Sequence, residues 1–99
     1  MYRLIILQEA NNEFKEAAQW YEEKSEGLGD RFIDIIQKKL QLIQQYPERY
    51  PMRKDNFREA LVYVFPYTII YTCYKKEKTI TINSIFHTAR NPKTKYRNK

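Results

Sequence analysis

The chain is poor in the residues that build metal centres and disulfides. Among its 99 residues, Cys73 is the single cysteine and His87 the single histidine. One cysteine cannot close an internal disulfide, and one histidine with scattered carboxylates does not make a transition-metal ligand set. The two glycines, Gly27 and Gly29, do not form a phosphate-binding loop. We therefore expect neither a metal ion nor another cofactor.

Long hydrophobic runs are also missing. The apolar run at residues 4–7 is too short for a signal peptide or a membrane span, so we expect a cytoplasmic protein that makes no membrane contact. Two glycines and four prolines are too few for a fibrous or disordered chain, and 42% hydrophobic residues is typical of a globular one. The length predicts a single domain, residues 1–99, with one modest core.

Charge is distributed unevenly between the two halves. Residues 1–50 carry 7 Lys/Arg against 9 Asp/Glu, and residues 51–99 carry 11 against 3, so balances of −2 and +8 make up the net charge of +6. Nine tyrosines add aromatic rings that can lie half-buried at a surface. This pattern predicts a basic surface that meets an anionic partner, either nucleic acid or an acidic protein.

Hydrophobic periodicity predicts an α+β fold. Helical spacing predicts two helices, at residues 9–24 and 30–46, joined by a connection that holds both glycines. Extended patterns predict four strands, at residues 2–7, 58–65, 66–74 and 79–87, and residues 47–56 read as a loop. Alternating polar residues in the last strand predict one wet face. The order is β-α-α-β-β-β, with the helical hairpin packed on one face of a small antiparallel sheet.

A basic and aromatic set in the second half is the candidate for nucleic-acid or target binding. Its members are Arg53, Lys54, Arg58, Arg90, Lys93, Lys95 and Tyr96. A metal-independent nuclease needs a general acid or base and cations for the phosphate charge, roles that His87, Arg58 and Arg90 have the chemistry to fill. The alternative is a strand-end histidine held by ordinary hydrogen bonds, followed by a flexible, solvated basic tail at residues 93–99. Cys73 lies in an apolar strand, where packing is its expected role.

Six short motifs, taken in order, cover nearly the whole chain. They are Trp20-Tyr21, Gly27-Leu28-Gly29 followed by Phe32, Pro47 with Tyr50-Pro51, Arg58 opening a strand, Phe65-Pro66-Tyr67 leading to Ile69 and Tyr71, and His87-Thr88-Ala89-Arg90-Asn91-Pro92. In this order and spacing the chain resembles the RelE/ParE superfamily of bacterial type II toxin–antitoxin toxins. That family's fold, a helical hairpin on an antiparallel sheet, agrees with the order predicted from the residues.

The resemblance implies one of two activities. RelE-like members cut messenger RNA in the ribosomal A site, whereas ParE-like members poison DNA gyrase and are not nucleases. Thr68 stands where the RelE-like nucleases carry an arginine, and threonine cannot supply a fixed guanidinium charge. The His-x-x-Arg-x-Pro ending also resembles ParE-like members. The resemblance favours a ParE-like toxin, and the alternatives are a ribosome-dependent, metal-independent endoribonuclease and a degenerate, non-toxic module that binds nucleic acid or an antitoxin.

The resemblance also implies a protein partner. Such toxins are neutralised by a cognate antitoxin whose C-terminal segment, often acidic, is disordered alone and folds on binding, which fits a basic sheet. Trp20 is a candidate antitoxin anchor, because aromatic residues dominate interface energetics. Packing between the helices is the alternative role for Trp20, and it is the expected one for Tyr21.

Overall fold

The computed structural model describes residues 1–89 and Tyr96. Two helices and five strands follow one another in these residues: β1 (Arg3–Ile6), α1 (Gln8–Lys24), α2 (Leu28–Gln45), β2 (Met52–Lys54), β3 (Phe57–Val62), β4 (Tyr67–Tyr74) and β5 (Thr79–His87). Both helices pack on the sheet, α1 against β5 and α2 against β3. The predicted α+β fold with a helical hairpin on a sheet is confirmed.

The sheet differs from the prediction in two respects. Its strand order is β1-β5-β4-β3-β2, and β1 runs parallel to β5 while the other neighbours are antiparallel, so the sheet is mixed. The second difference is β2, a short strand in the segment predicted as a loop. Pairing of its three residues with β3 creates this strand, and a three-residue segment is too short to show a period-2 pattern.

The prediction of a wet face on the last strand is wrong. Residues 79–86 of β5 are all buried, because the strand lies between β1 and β4 under α1. Its polar side chains are short, and some have partners inside the protein, whereas the buried Asn83 side-chain nitrogen finds no partner among the described residues. Ser84 Oγ donates to the Glu13 carboxylate over 2.9 Å, and Thr72 Oγ1 lies 3.2 Å from Asn83 Oδ1. A buried strand can therefore show polar alternation when its polar side chains are short and most of their groups find partners inside the protein.

An aromatic cluster joins the helix pair to the sheet. Phe32 of α2 is fully buried, and its ring lies 5.2 Å from Tyr21, 5.1 Å from Phe65 and 5.2 Å from Tyr67. Residues from α1, α2 and the start of β4 thereby share one core. This cluster confirms the packing role predicted for Tyr21.

The connection between the helices is shorter than predicted. Gly27 has a φ of +86°, a conformation that favours glycine, whereas Gly29 already lies inside α2. The Glu22 carboxylate accepts hydrogen bonds from the main-chain N–H groups of both glycines, each over 2.9 Å. Glu22 therefore caps the start of α2, where free N–H groups favour a negative charge. Of the two helices described, neither is long and apolar enough to cross a membrane.

Candidate functional site

A groove lies between α1 and the end of the sheet where β4 begins and β5 ends. It has a volume of about 610 Å³ and is lined by Glu16, Ala17, Trp20, Tyr21, Pro66, Tyr67 and His87. Helical spacing brings Glu16 and Trp20 to one face of α1, and the register of β4 with β5 places Tyr67 opposite His87. We call this the Trp20 groove.

Trp20 is the most exposed residue of this groove with a large apolar surface. Its side chain is 53% exposed, and its ring meets the Tyr21 ring edge-on at 5.1 Å. The Lys24 ammonium lies 4.8 Å from the centre of the Trp20 ring. Trp20 does contact the helix pair through Tyr21, but half of its surface stays available to another molecule.

His87 lies in the same groove with ordinary hydrogen bonding. Its Nδ1 accepts a hydrogen bond from the Ala89 N–H over 3.1 Å, and its ring packs edge-on against Tyr67 at 5.0 Å. The next residue is also held, because the Thr88 N–H donates to the Pro66 carbonyl over 2.9 Å. These contacts match the alternative in which His87 is a satisfied strand-end residue.

Arg58 holds a loop in place. Its guanidinium donates to the main-chain carbonyl of Tyr50 over 2.7 Å and to that of Glu48 over 3.4 Å. Both carbonyls belong to the segment between α2 and β2. Arg58 is therefore engaged with the protein's own main chain. Its charged guanidinium gives these two carbonyl oxygens the hydrogen-bond donors that buried or half-buried polar groups need.

The structure does not bring Arg58 and His87 together. Arg58 pairs with Tyr71 of β4 and His87 pairs with Tyr67, so the two lie four β4 positions apart. Four positions correspond to about 13 Å along the strand. Arg58 lies on β3 and His87 on β5, on opposite sides of β4, which adds a separation of about 10 Å across the sheet. Arg90, the third candidate catalytic residue, lies outside the described residues.

Three of the candidate binding residues form one surface at β2. Arg53 and Lys54 are exposed there, and the Lys54 ammonium lies 5.7 Å from the centre of the Tyr96 ring. The Tyr96 ring packs against Phe57 at 5.6 Å, and its hydroxyl donates to Glu59. Burial and the bond to Glu59 raise the pKa of Tyr96 to about 12. Lys93 and Lys95 lie outside the described residues, as does the tail at 93–99 apart from Tyr96.

A second groove, of about 290 Å³, contains residues that sequence reasoning missed. Within it the Lys39 ammonium lies 5.4 Å from the Tyr50 ring and 5.7 Å from the Tyr63 ring. Lys39 lies on α2 and Tyr63 follows β3, so the fold alone makes them neighbours. The sequence also gives no signal that Glu16 and Pro66 line the Trp20 groove, because neither residue belongs to a recognisable site pattern in its own segment.

Among residues 1–89 and Tyr96, no three potential metal ligands gather at one point.

Comparison with known proteins identifies the family. A family model described as "ParE toxin of type II toxin-antitoxin system, parDE" matches residues 4–92. No curated protein sequence matches the chain.

Two solved structures share the fold. A chain of the chromosomal ParDE toxin–antitoxin system from P. aeruginosa has a TM-score of 0.71 at 15% identity, covering 88% of this chain and 96% of that one. The isolated E. coli RelE toxin has a TM-score of 0.69 at 17% identity, covering 92% of this chain and 88% of that one. These likenesses support the fold, and the family match spans nearly the whole sequence. The resemblance to the RelE/ParE superfamily is confirmed, and the chain belongs to the ParE toxin family of type II toxin–antitoxin systems.

Proposed function

We propose that this toxin arrests bacterial growth by binding DNA gyrase in the cytoplasm, with no chemistry of its own, and that a cognate protein antitoxin neutralises it. The observation that carries the non-catalytic part is the placement of Arg58. Its guanidinium is engaged with the carbonyls of Tyr50 and Glu48 and lies far from His87. The family match supports the gyrase-directed branch.

Ribonuclease chemistry without a metal would need a different arrangement. A general acid or base must lie within hydrogen-bond reach of the proton it transfers, and a cation must reach the same phosphate. His87 and Arg58 are separated by about 13 Å along β4 and by two strand spacings across it, so one phosphate cannot contact both in this arrangement. A ribosome-dependent endoribonuclease is the alternative function, and the test below includes its outcome.

For the antitoxin, the Trp20 groove is the proposed contact. Trp20 offers a large exposed ring beside a concave surface, which is the form that binding anchors take. The basic surface formed by Arg53, Lys54 and Tyr96 is the proposed contact for the anionic partner or target. We propose the same role, on the basis of their positive charge alone, for Arg90, Lys93 and Lys95.

Controlled expression in a bacterium tests the function. We would compare the wild type with His87→Ala and Arg58→Ala, recording growth, RNA 5′ ends and covalent gyrase–DNA complexes. We expect growth arrest and gyrase–DNA complexes with the wild type and with His87→Ala, and no new RNA ends. Arg3→Ala, which removes an exposed arginine on β1, is the matched control for loss of one positive charge.

Two outcomes would overturn the proposal. New cuts inside translated messages that disappear with His87→Ala would identify a ribonuclease. Folded wild-type protein without growth arrest would identify a non-toxic binding module. Because Arg58 supports a loop, circular dichroism and a thermal melt of Arg58→Ala must accompany its growth result, so that loss of folding is not mistaken for loss of a catalytic group.

A further inference from the structure

The walls of the Trp20 groove are aromatic. Trp20, Tyr21 and Tyr67 all line it, with the Trp20 and Tyr21 rings 5.1 Å apart and the Tyr21 and Tyr67 rings 6.4 Å apart. Aromatic ring faces carry partial negative charge and attract cations, tryptophan most strongly. Of the three rings, Trp20 is the exposed one at 53%, whereas Tyr67 is 6% exposed, so Trp20 offers the ring face on which a flat cationic group can stack.

A cation from the chain itself already lies against the Trp20 ring. The Lys24 ammonium lies 4.8 Å from the centre of the Trp20 ring. Lys24 is four residues after Trp20 on α1, so the helix brings the two side chains together. The exposed indole is thus accessible to a positive charge at the distance of a cation–π contact.

The groove also contains a carboxylate to pair with a cation. Glu16 lines the groove four residues before Trp20 on α1, and its side chain is exposed. The ion pairs among residues 1–89 and Tyr96 join other residues, and none includes Glu16. An incoming guanidinium would therefore find a carboxylate whose charge is not used by another basic side chain of the described protein.

The surrounding charge has the matching sign. Helix α1 carries five glutamates and two lysines, a balance of −3, in a chain whose net charge is +6, so the remaining residues carry +9. The Trp20 groove is thus on the acidic element of a basic protein. The negative charge of α1 favours a positively charged partner group at this groove, whereas the positive net charge of the whole chain favours an acidic partner elsewhere.

We propose that the Trp20 groove binds an arginine side chain of the partner protein, with the guanidinium stacked on the Trp20 ring and paired with the Glu16 carboxylate. Arginine fits better than lysine, because its planar group stacks on rings while donating paired hydrogen bonds to a carboxylate. This inference rests on the proposed function in one respect, namely that the partner is the antitoxin. It gives that antitoxin a basic contact at α1, distinct from the acidic segment expected at the basic sheet.

Peptide titration of the full chain tests this binding. Trp20 is the only tryptophan, so its fluorescence reports on the groove directly. The probes are three capped tripeptides, alanine–X–alanine, in which X is arginine, leucine or glutamate. We expect the arginine peptide to bind saturably with a Kd on the order of 1 mM, at least about fivefold tighter than the other two.

Three variants locate the contact. Glu16→Gln should weaken binding of the arginine peptide about threefold to fivefold, as loss of one partly exposed ion pair predicts. Glu77→Gln makes the same charge change in the turn between β4 and β5, at the opposite end of β5 from His87, and should leave binding unchanged. Lys24→Ala should leave binding equal or tighter, since it removes a competing cation from the indole.

Four results would overturn the arginine-binding proposal. Tighter binding of the leucine peptide would make the groove an apolar anchor site, and tighter binding of the glutamate peptide would reverse its charge preference. Equal effects of Glu16→Gln and Glu77→Gln, or no saturable binding of the arginine peptide, would also sink it. Growth is not measured here, so failure of this inference and failure of the gyrase proposal are distinguishable.

Discussion

The hydroxyl of Tyr71 donates a hydrogen bond to the main-chain carbonyl of Pro47 over 2.6 Å, from a side chain that is 0% exposed. Tyr71 lies in β4, and Pro47 lies just beyond the end of α2. Next to this bond, Arg58 of β3 holds the carbonyl of Tyr50. The two bonds fix the segment that leads to β2, and so they fix the position of the exposed basic residues Arg53 and Lys54.

Removing the Tyr71 hydroxyl should destabilise the protein without disturbing its ring packing. We expect Tyr71→Phe to lower the free energy of unfolding by about 1–3 kcal/mol, because the Pro47 carbonyl loses its partner in a buried place. Denaturant unfolding at neutral pH measures this change. Tyr63→Phe is the control, since Tyr63 is 84% exposed and its hydroxyl removal should cost less than about 0.5 kcal/mol. Similar losses in the two variants would contradict the structural role.

Alkaline pH should act through the same hydroxyl. Burial raises the pKa of Tyr71 above its ordinary value of 10.0, so the neutral phenol is favoured in the folded protein. A raised pKa contributes stability that is complete below pH 10 and is lost as the pH rises from there towards the folded-state value. We expect the stability difference between wild type and Tyr71→Phe to shrink above pH 10. Denaturant unfolding at several alkaline pH values checks this, and a constant difference would speak against it.

Gly29 of α2 packs tightly against α1. A Cβ atom at this position would lie 2.6 Å from the Ala18 carbonyl oxygen and 2.9 Å from Glu22 Cβ. We expect Gly29→Ala to destabilise the protein by about 1–3 kcal/mol through overpacking, even though alanine is the better helix former. Gln41→Ala, at an exposed position of the same helix, is the control and should change stability by less than about 0.5 kcal/mol. A gain in stability with Gly29→Ala would show that the helices can move apart freely.

Protonation of Glu22 in acid should destabilise the connection between the two helices. Hydrogen bonds from the Gly27 and Gly29 N–H groups lower the pKa of Glu22 below 4.5. A lowered pKa contributes stability that is present above pH 4.5 and is lost as the pH falls through the folded-state value. We expect Glu22→Gln to lower the melting temperature at neutral pH, and this difference to shrink in acid. Glu26→Gln serves as the control in the same connection, and a melting difference independent of pH would refute the charge-based account.

Much of the architecture follows from local pattern. The helices were predicted within two residues of their observed ends, because apolar residues recur at helical spacing and Pro47 ends the second helix. The strands β3 to β5 were predicted from β-branched and aromatic residues between turns. The family itself was identified from short motifs in order, and the family match confirms it.

Other features depend on contacts between distant segments. The strand β2 exists because residues 52–54 pair with β3, and the burial of β5 follows from its place between β1 and β4. Arg58 was predicted as a charge stabiliser, whereas its observed bonds go to the carbonyls of Tyr50 and Glu48. The role of an arginine depends on which acceptors lie within its reach, and a sequence does not show these acceptors.

The amino-acid sequence by itself determined the two helices, the three long strands of its second half and the division of charge, because periodicity and composition act locally. Only the tertiary structure decided that Trp20, Tyr67 and His87 share one groove and that Arg58 and His87 lie apart. Strand register and helix packing bring together residues separated by dozens of positions. A site depends on such distances, since hydrogen bonds and ring contacts act only over a few ångströms.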